Sequence, residues 1–180
     1  IAVGYFSNSI TVGGETLTSK GSGDGLIIKY SERGEVEWAK SIGGNYGDEI
    51  TSVIETKDGG IIAVGQFNSS SITVGEEMLT KKGIYNGLII KIKEEEVPDP
   101  VIKQGISIGG IGNDYITTLT ETEDRGIIAG GYFASSSIKV GEETLTSKGS
   151  YDGLIIKYSE RGNVEWVKSI GGGRSDYITS

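Results

Sequence analysis

The sequence predicts an all-β fold, a β-propeller of four-stranded antiparallel blades with about three blades present. Three observations carry that prediction. Ile1-Ala-Val-Gly-Tyr-Phe6 returns as Ile62-Ala-Val-Gly-Gln-Phe67 and again as Ile128-Ala-Gly-Gly-Tyr-Phe133, at offsets of 61 and 66 residues. Glycine supplies 30 of the 180 residues and proline only 2; without a Gly-X-Y period this is the composition of many tight turns, not of collagen. No window of about 12 residues keeps a helical apolar period without glycine breaking it, which sets helices aside.

Each copy holds four strand signals. Ile50–Thr56 alternates and is β-branched, and Lys57-Asp58-Gly59-Gly60 closes it. Asp-Gly between two apolar runs is a strong hairpin signal, because the turn needs a residue at positive φ. The second strand, Gly60–Phe67, and the third, Gly87–Lys91, are apolar on both faces. The fourth, Glu35–Ile42, follows the turn Ser31-Glu-Arg-Gly34, alternates, and carries more charge. Inner strands buried on both faces beside a half-wet outer strand are what radial stacking of blades produces.

A further segment, Ser69–Thr80 in the middle copy, separates strands two and three and is expected to project as a small hairpin. It explains a repeat longer than the roughly 40–45 residues of a short propeller blade. In the middle copy Gln104 replaces Trp38 and Trp166, and an acidic, proline-containing run beginning at Lys93 lengthens the turn before an outer strand expected over Val101–Ile108. The resulting boundaries make one region, 1–180, with blades at 1–48, 49–113 and 114–175 and a new first strand beginning at 176–180. Three blades are too few for the usual ring of 4–8. The expectation is therefore a piece of a longer chain, or a ring completed by homo-oligomerisation.

Composition removes several function classes. The net charge of −8 repels phosphate backbones and anionic membranes. No apolar run approaches the roughly 18–20 residues that span a bilayer. With no Cys and no His, the chain offers no thiolate nucleophile, no imidazole base and no ordinary zinc site. No cofactor and no catalytic residue are expected, and nucleic acid is not an expected partner.

Each copy draws on one set of motifs: Gly43-Gly44…Asp48, Asp58-Gly59-Gly60, Leu17-Thr-Ser-Lys-Gly21, Asp24-Gly25…Lys29-Tyr30, and Gly34-Glu-Val-Glu-Trp38-Ala-Lys-Ser-Ile-Gly-Gly44. Together they resemble the β-propeller repeats of bacterial secreted and cell-surface proteins. The likeness covers essentially the whole chain and is specific for fold, not activity. It implies a non-catalytic extracellular module, secreted or at the cell surface. Such a module serves as a scaffold or as an adhesion or protein-recognition surface. A lectin-like module binding glycans through repeated loop sites is the alternative.

Candidate chemistry is sparse. Gly109-Gly-Ile-Gly-Asn-Asp114 matches the motif of calcium-binding β-rolls, but those need it stacked every nine residues, and here it occurs once per repeat. Asp48, Asp114 and Asp176 read instead as turn residues capping backbone N–H groups, and Asp58 and Asp124 as hairpin-turn residues. Trp38 and Trp166 read as core packed between blades. The ligand-binding candidates are Tyr85 with Asn86 and Tyr151 with Asp152, at loop ends before the third strand. Gly23 replaces the tyrosine in the first copy.

Overall fold

A computed structural model describes residues 1–93 and 101–179, the side chain of Val101 excepted. The charge run at 94–96 and both prolines of the lengthened turn lie outside the described residues, as does Ser180. All regular structure among the described residues is β. The first repeat contains β1 (Ala2–Phe6), the hairpin β2 (Ser9–Val12) and β3 (Glu15–Thr18), then β4 (Asp24–Tyr30) and β5 (Val36–Ile42). The second contains β6 (Asp48–Glu55), β7 (Gly60–Phe67), the hairpin β8 (Ser71–Val74) and β9 (Glu77–Thr80), β10 (Asn86–Lys93) and β11 (Val101–Ile108). The third contains β12 (Asp114–Glu121), β13 (Ile127–Phe133), the hairpin β14 (Ser137–Val140) and β15 (Glu143–Thr146), β16 (Asp152–Tyr158) and β17 (Val164–Ile170).

The main sheets are antiparallel meanders. The second runs β6-β7-β10-β11, the third β12-β13-β16-β17, and the first has three strands, β1-β4-β5. Each hairpin forms its own two-stranded sheet between strands two and three. Successive sheets stack face to face, and side-chain alternation divides the core between the two interfaces. Ile61, Leu88 and Ile90 join Ile27 and Ile42 of the first sheet, while Ile62, Val64 and Ile89 join Ile116, Leu119 and Ile127 of the third. The middle sheet therefore buries both faces, which is why β7 and β10 read as unbroken apolar runs.

Three positions differ from the sequence reading. The first strand opens at Asp48, not Ile50, because the Asp48 N–H already bonds to the carbonyl of Gly23 in the preceding sheet at 3.0 Å. The inserted hairpin does not project. Ile72 and Val74 are buried, and the hairpin folds onto the outer strand, where a Cβ at Gly105 would lie 2.7 Å from Val74. Its apolar face pulls it inward, away from water. Trp38 is half-buried against the core between the first two sheets, but Trp166 is 36% exposed. Among the described residues no further sheet packs against the outer face of the third sheet to cover it, so Trp166 is not a core residue here.

The same absence governs the last residues. Asp176–Thr179 take the path of β6 and β12 but are not assigned as a strand. The Asp176 N–H bonds to the Tyr151 carbonyl at 2.8 Å, and the Ile178 N–H to the Gly131 carbonyl at 3.3 Å.

Two bulge positions lock neighbouring sheets together. The register of β6 shifts between Ile50 and Ser52, and that of β12 between Ile116 and Thr118. The extra residue in each case is a threonine. The Thr51 hydroxyl lies 3.2 Å from the Val64 carbonyl in its own sheet and 3.1 Å from the Ile116 carbonyl in the next. Thr117 reaches the Ile178 carbonyl at 2.8 Å in the same way.

Candidate functional site

Repeat geometry brings three recurring positions to one end of the sheets. They are the second residue of the first strand (Glu49, Tyr115, with Tyr177 in the corresponding place at the end of the chain), the penultimate residue of the second strand (Tyr5, Gln66, Tyr132), and the residue before the third strand (Gly23, Tyr85, Tyr151). Cross-strand pairing joins Glu49 to Gln66 and Tyr115 to Tyr132. Parallel bridges at Gly23–Gly47, Tyr85–Asn113 and Tyr151–Ser175 tie each sheet to the next at this same end.

Between the second and third repeats these positions are filled by tyrosine, and five rings form a continuous array. Tyr85 stacks on Tyr115 with centroids 5.6 Å apart, and Tyr115 lies 4.9 Å from Tyr132. Tyr132 meets Tyr151 and Tyr177 edge-on at 5.6 and 4.7 Å, and Tyr151 and Tyr177 are 5.5 Å apart. Edge-on and offset contacts are the arrangements the ring quadrupole favours. Tyr85, Tyr115, Tyr132 and Tyr151 are half-buried and Tyr177 is exposed. The array thus presents ring surface and hydroxyl groups together.

Its electrostatics derive from that crowding. Burial, then the neighbouring phenols of Tyr151, Tyr132 and Tyr85, push Tyr115 up to about 12. Burial first, then Tyr151 and Tyr177, also raises Tyr132. Polar groups edge the array. The Asn113 side-chain amide donates to the Tyr151 hydroxyl at 3.3 Å, while its Oδ1 is buried with no protein partner. Where tyrosine is missing, Gln66 donates to Glu49 at 3.1 Å. Nearby, Lys81 Nζ stands 5.7 Å from the ring centre of Tyr46, within cation–π range.

The structure therefore unites Tyr85 and Tyr151, but it does not place Asn86 or Asp152 on the surface. Both are fully buried. Asn86 accepts from the N–H groups of Lys82 and Gly83 at 3.3 Å, and Asp152 accepts from Lys148 N–H at 2.6 Å. As first residues of their strands they point inward and close the preceding loop, and the Asp152 Oδ1 is buried with no protein partner. Tyr115, Tyr132, Tyr177 and Asn113 are site residues that the sequence reading passed over. The signal lay in aligning strand positions across copies.

The acidic turn residues are engaged in structure. Asp48 accepts from Gly44 N–H at 2.8 Å, from Asn68 and Ser69 N–H at 3.0 Å, and from the Ser69 hydroxyl at 2.5 Å. Asp114 repeats the set with Gly110 and Ser135. Asp176 keeps only Gly172 N–H, at 3.0 Å. Asp58 and Asp124 sit in the hairpins that connect the first strands to the second. Asp58 accepts from the Thr56 hydroxyl at 2.5 Å and Gly60 N–H at 3.3 Å. Asp124 accepts from the Thr122 hydroxyl, Gly126 N–H and Lys157 Nζ. The lysine, first, and then the threonine hold its carboxyl far below the usual carboxylate range.

Comparison with protein-family models gives no match, and comparison with curated proteins gives none either.

Proposed function

We propose that the three main sheets are blades of a β-propeller. On this reading the chain is a non-catalytic extracellular scaffold, secreted or at the cell surface, that uses its tyrosine-lined end to recognise protein. The propeller reading is supported by the meander order, by face-to-face stacking with first strands adjacent, and by the motif resemblance. The observation that carries the recognition reading is the five-ring array from Tyr85 to Tyr177. Tyrosine is enriched in interface cores because its rigid ring contributes apolar area and a polar tip at small entropic cost.

One observation favours a second reading, glycan binding. Beside Tyr151, the unpartnered Oδ1 of Asn113 offers an acceptor next to ring faces, the pairing a sugar needs. A direct experiment separates the two. The immobilised chain and its Tyr132→Ala variant are exposed to cells of the producing organism, before and after protease or glycosidase treatment. Adhesion that is lost with protease and with the variant supports protein recognition. Loss with glycosidase moves the assignment to the lectin reading. Undiminished adhesion by Tyr132→Ala removes the array from the function altogether.

Ring completion is part of the same proposal. A propeller of 4–8 blades requires either more repeats in a longer chain or a second copy of this one. Light scattering distinguishes them, since a stable particle of twice 19.0 kDa means self-assembly and a monomer means the rest of the ring lies in further repeats.

A further inference from the structure

Trp38 and Gln104 hold the same register in successive sheets: Trp38 lies opposite Lys29 and Gln104 opposite Lys91. Trp38 packs into the core between the first and second sheets, a core that includes Ile27, Ile61 and Ile92. The counterparts of those three at the next interface are Ile89, Ile127 and Tyr158, matched through the pairs Ile61–Ile92 and Ile127–Tyr158. With glutamine in place of the indole, this second interface retains an open cleft of about 50 Å³. Ile62, Ile89 and Ile106 line one wall, and Ile127 and Tyr158 the other. Gln104 lines this cleft, and a ring of indole size would require that flexible side chain to turn outward.

A second observation points to a ligand. Tyr158 is 5% exposed, it lines the cleft, and its hydroxyl is buried without a protein hydrogen-bond partner. An unmatched buried hydroxyl costs free energy that a bound polar group recovers. At the first interface the equivalent residue is Ile92, which brings no such need. Asp58, Lys91, Glu121, Arg125 and Glu160 also line the cleft, and Arg125 pairs with Glu160 at 3.3 Å. The excess of carboxylates disfavours an anionic ligand.

We infer that the cleft between the second and third sheets binds a small neutral indole-type ring, which takes the place Trp38 fills in the sister interface and donates its N–H to the Tyr158 hydroxyl oxygen. The ring would lie between the isoleucine walls, with Gln104 turned outward. This site is separate from the tyrosine array, and its presence does not depend on the recognition reading above.

The test is an NMR titration of the full chain with indole itself. Expected is saturable binding with a dissociation constant below about 1 mM, and intermolecular NOEs from the ring to the methyl groups of Ile89 and Ile127. Tyr158→Phe should weaken binding roughly 3- to 10-fold, the worth of one neutral hydrogen bond. Gln104→Trp should abolish it by filling the cleft from within. No saturation at about 10 mM, NOEs placed at the exposed Trp166 face, or unaltered affinity in Tyr158→Phe would each overturn the inference. The NOE pattern of the wild-type chain decides the matter even if Gln104→Trp does not fold.

Discussion

Asp24 and Asn86 stand at the same point of successive repeats, the first residue of the third main strand, and only Asn86 satisfies both ends of its side chain. Asn86 accepts from two backbone N–H groups and donates from Nδ2 to the Ser107 hydroxyl at 3.1 Å. Asp24 accepts from Lys20 N–H at 3.2 Å, while its Oδ2 is buried with no protein partner. Ser41 is the counterpart of Ser107, since Leu26 pairs with Ser41 as Leu88 pairs with Ser107. Burial, the largest influence, raises the Asp24 carboxyl above its ordinary 3.8, and the nearby Asp48 charge adds to the rise.

Asp24→Asn should therefore stabilise the chain at neutral pH by about 1 kcal/mol, by supplying the missing donor. A carboxyl raised by folding contributes stability that is complete below its unfolded pKa and lost as pH rises through the folded one. The advantage of the variant should accordingly shrink as pH falls toward 4. Urea denaturation of both proteins between pH 3 and 7 checks this, and a gap independent of pH would refute it.

The carboxylates of Asp114 and Asp176 make a built-in control for capping. Asp114 is buried and takes Gly110 N–H, Ser135 N–H and the Ser135 hydroxyl, the last at 2.6 Å. Asp114→Ala should cost about 3 kcal/mol, because several buried donors lose their acceptor at once. Ser135→Ala should cost about 1 kcal/mol, and the double variant less than the sum, because the two share one bond. Asp176→Ala, at a site with a single N–H donor, should cost under about 0.5 kcal/mol. Equal losses at Asp114 and Asp176 would contradict the role of the serine.

Much of the sheet order was legible because its causes are local. The second strand, Gly60–Phe67, and the outer strand, Val101–Ile108, have the bounds expected from periodicity and turn chemistry. The features that escaped depend on contacts between repeats. Tyr115 and Tyr132 look like ordinary strand residues until register sets them side by side. Asn86 and Asp152 look like loop polars until their inward direction is known. Trp38 and Trp166 have closely similar local sequence, yet one is covered and the other open, because a neighbouring sheet packs over the first and none packs over the second.

The tyrosine array should be visible in alkaline titration. Tyr115 is pushed up to about 12, so absorbance at the tyrosinate band should show a late component about two units above the ordinary tyrosine value of about 10. Because folding raises this pKa, the stability it represents is intact below pH 10 and is lost as pH climbs toward 12. Tyr115→Phe should shrink the late component without removing it, since burial also raises Tyr132 and Tyr158. A late component unchanged by this substitution would mean the rings are not packed as described.

Gly59 and Arg125 occupy equivalent hairpin positions with φ of 77° and 61°. An L-residue in this region carries a penalty of about 1–2 kcal/mol that glycine avoids. Gly59→Ala should destabilise by roughly 1 kcal/mol. Arg125→Gly should gain by a similar amount, less the small contribution of an exposed ion pair with Glu160 at 3.3 Å. Thermal unfolding of the two variants should move in opposite directions, and movement in the same direction would rule out backbone conformation as the cause.

Thr51 supplies the last prediction, since its hydroxyl is the one side-chain hydrogen bond described from a bulge of the second sheet to the backbone of the third. The single proton is shared between Val64 and Ile116 carbonyls at 3.2 and 3.1 Å. Thr51→Val keeps the shape and the β-branching but leaves the Ile116 carbonyl without this donor, a loss of about 1 kcal/mol. Thr117→Val removes the matching bond to Ile178, and should cost less, because Ile178 belongs to a segment with no sheet beyond it. Thr51 bonds the carbonyl of the Ile116–Thr117 peptide itself, so the two sites are neighbours and the double variant should depart from the sum of the single losses by more than about 0.5 kcal/mol. Denaturant unfolding of the single and double variants measures both quantities, and a larger loss at Thr117 than at Thr51 would show that the bulge bonds do not join the sheets in the way their geometry requires.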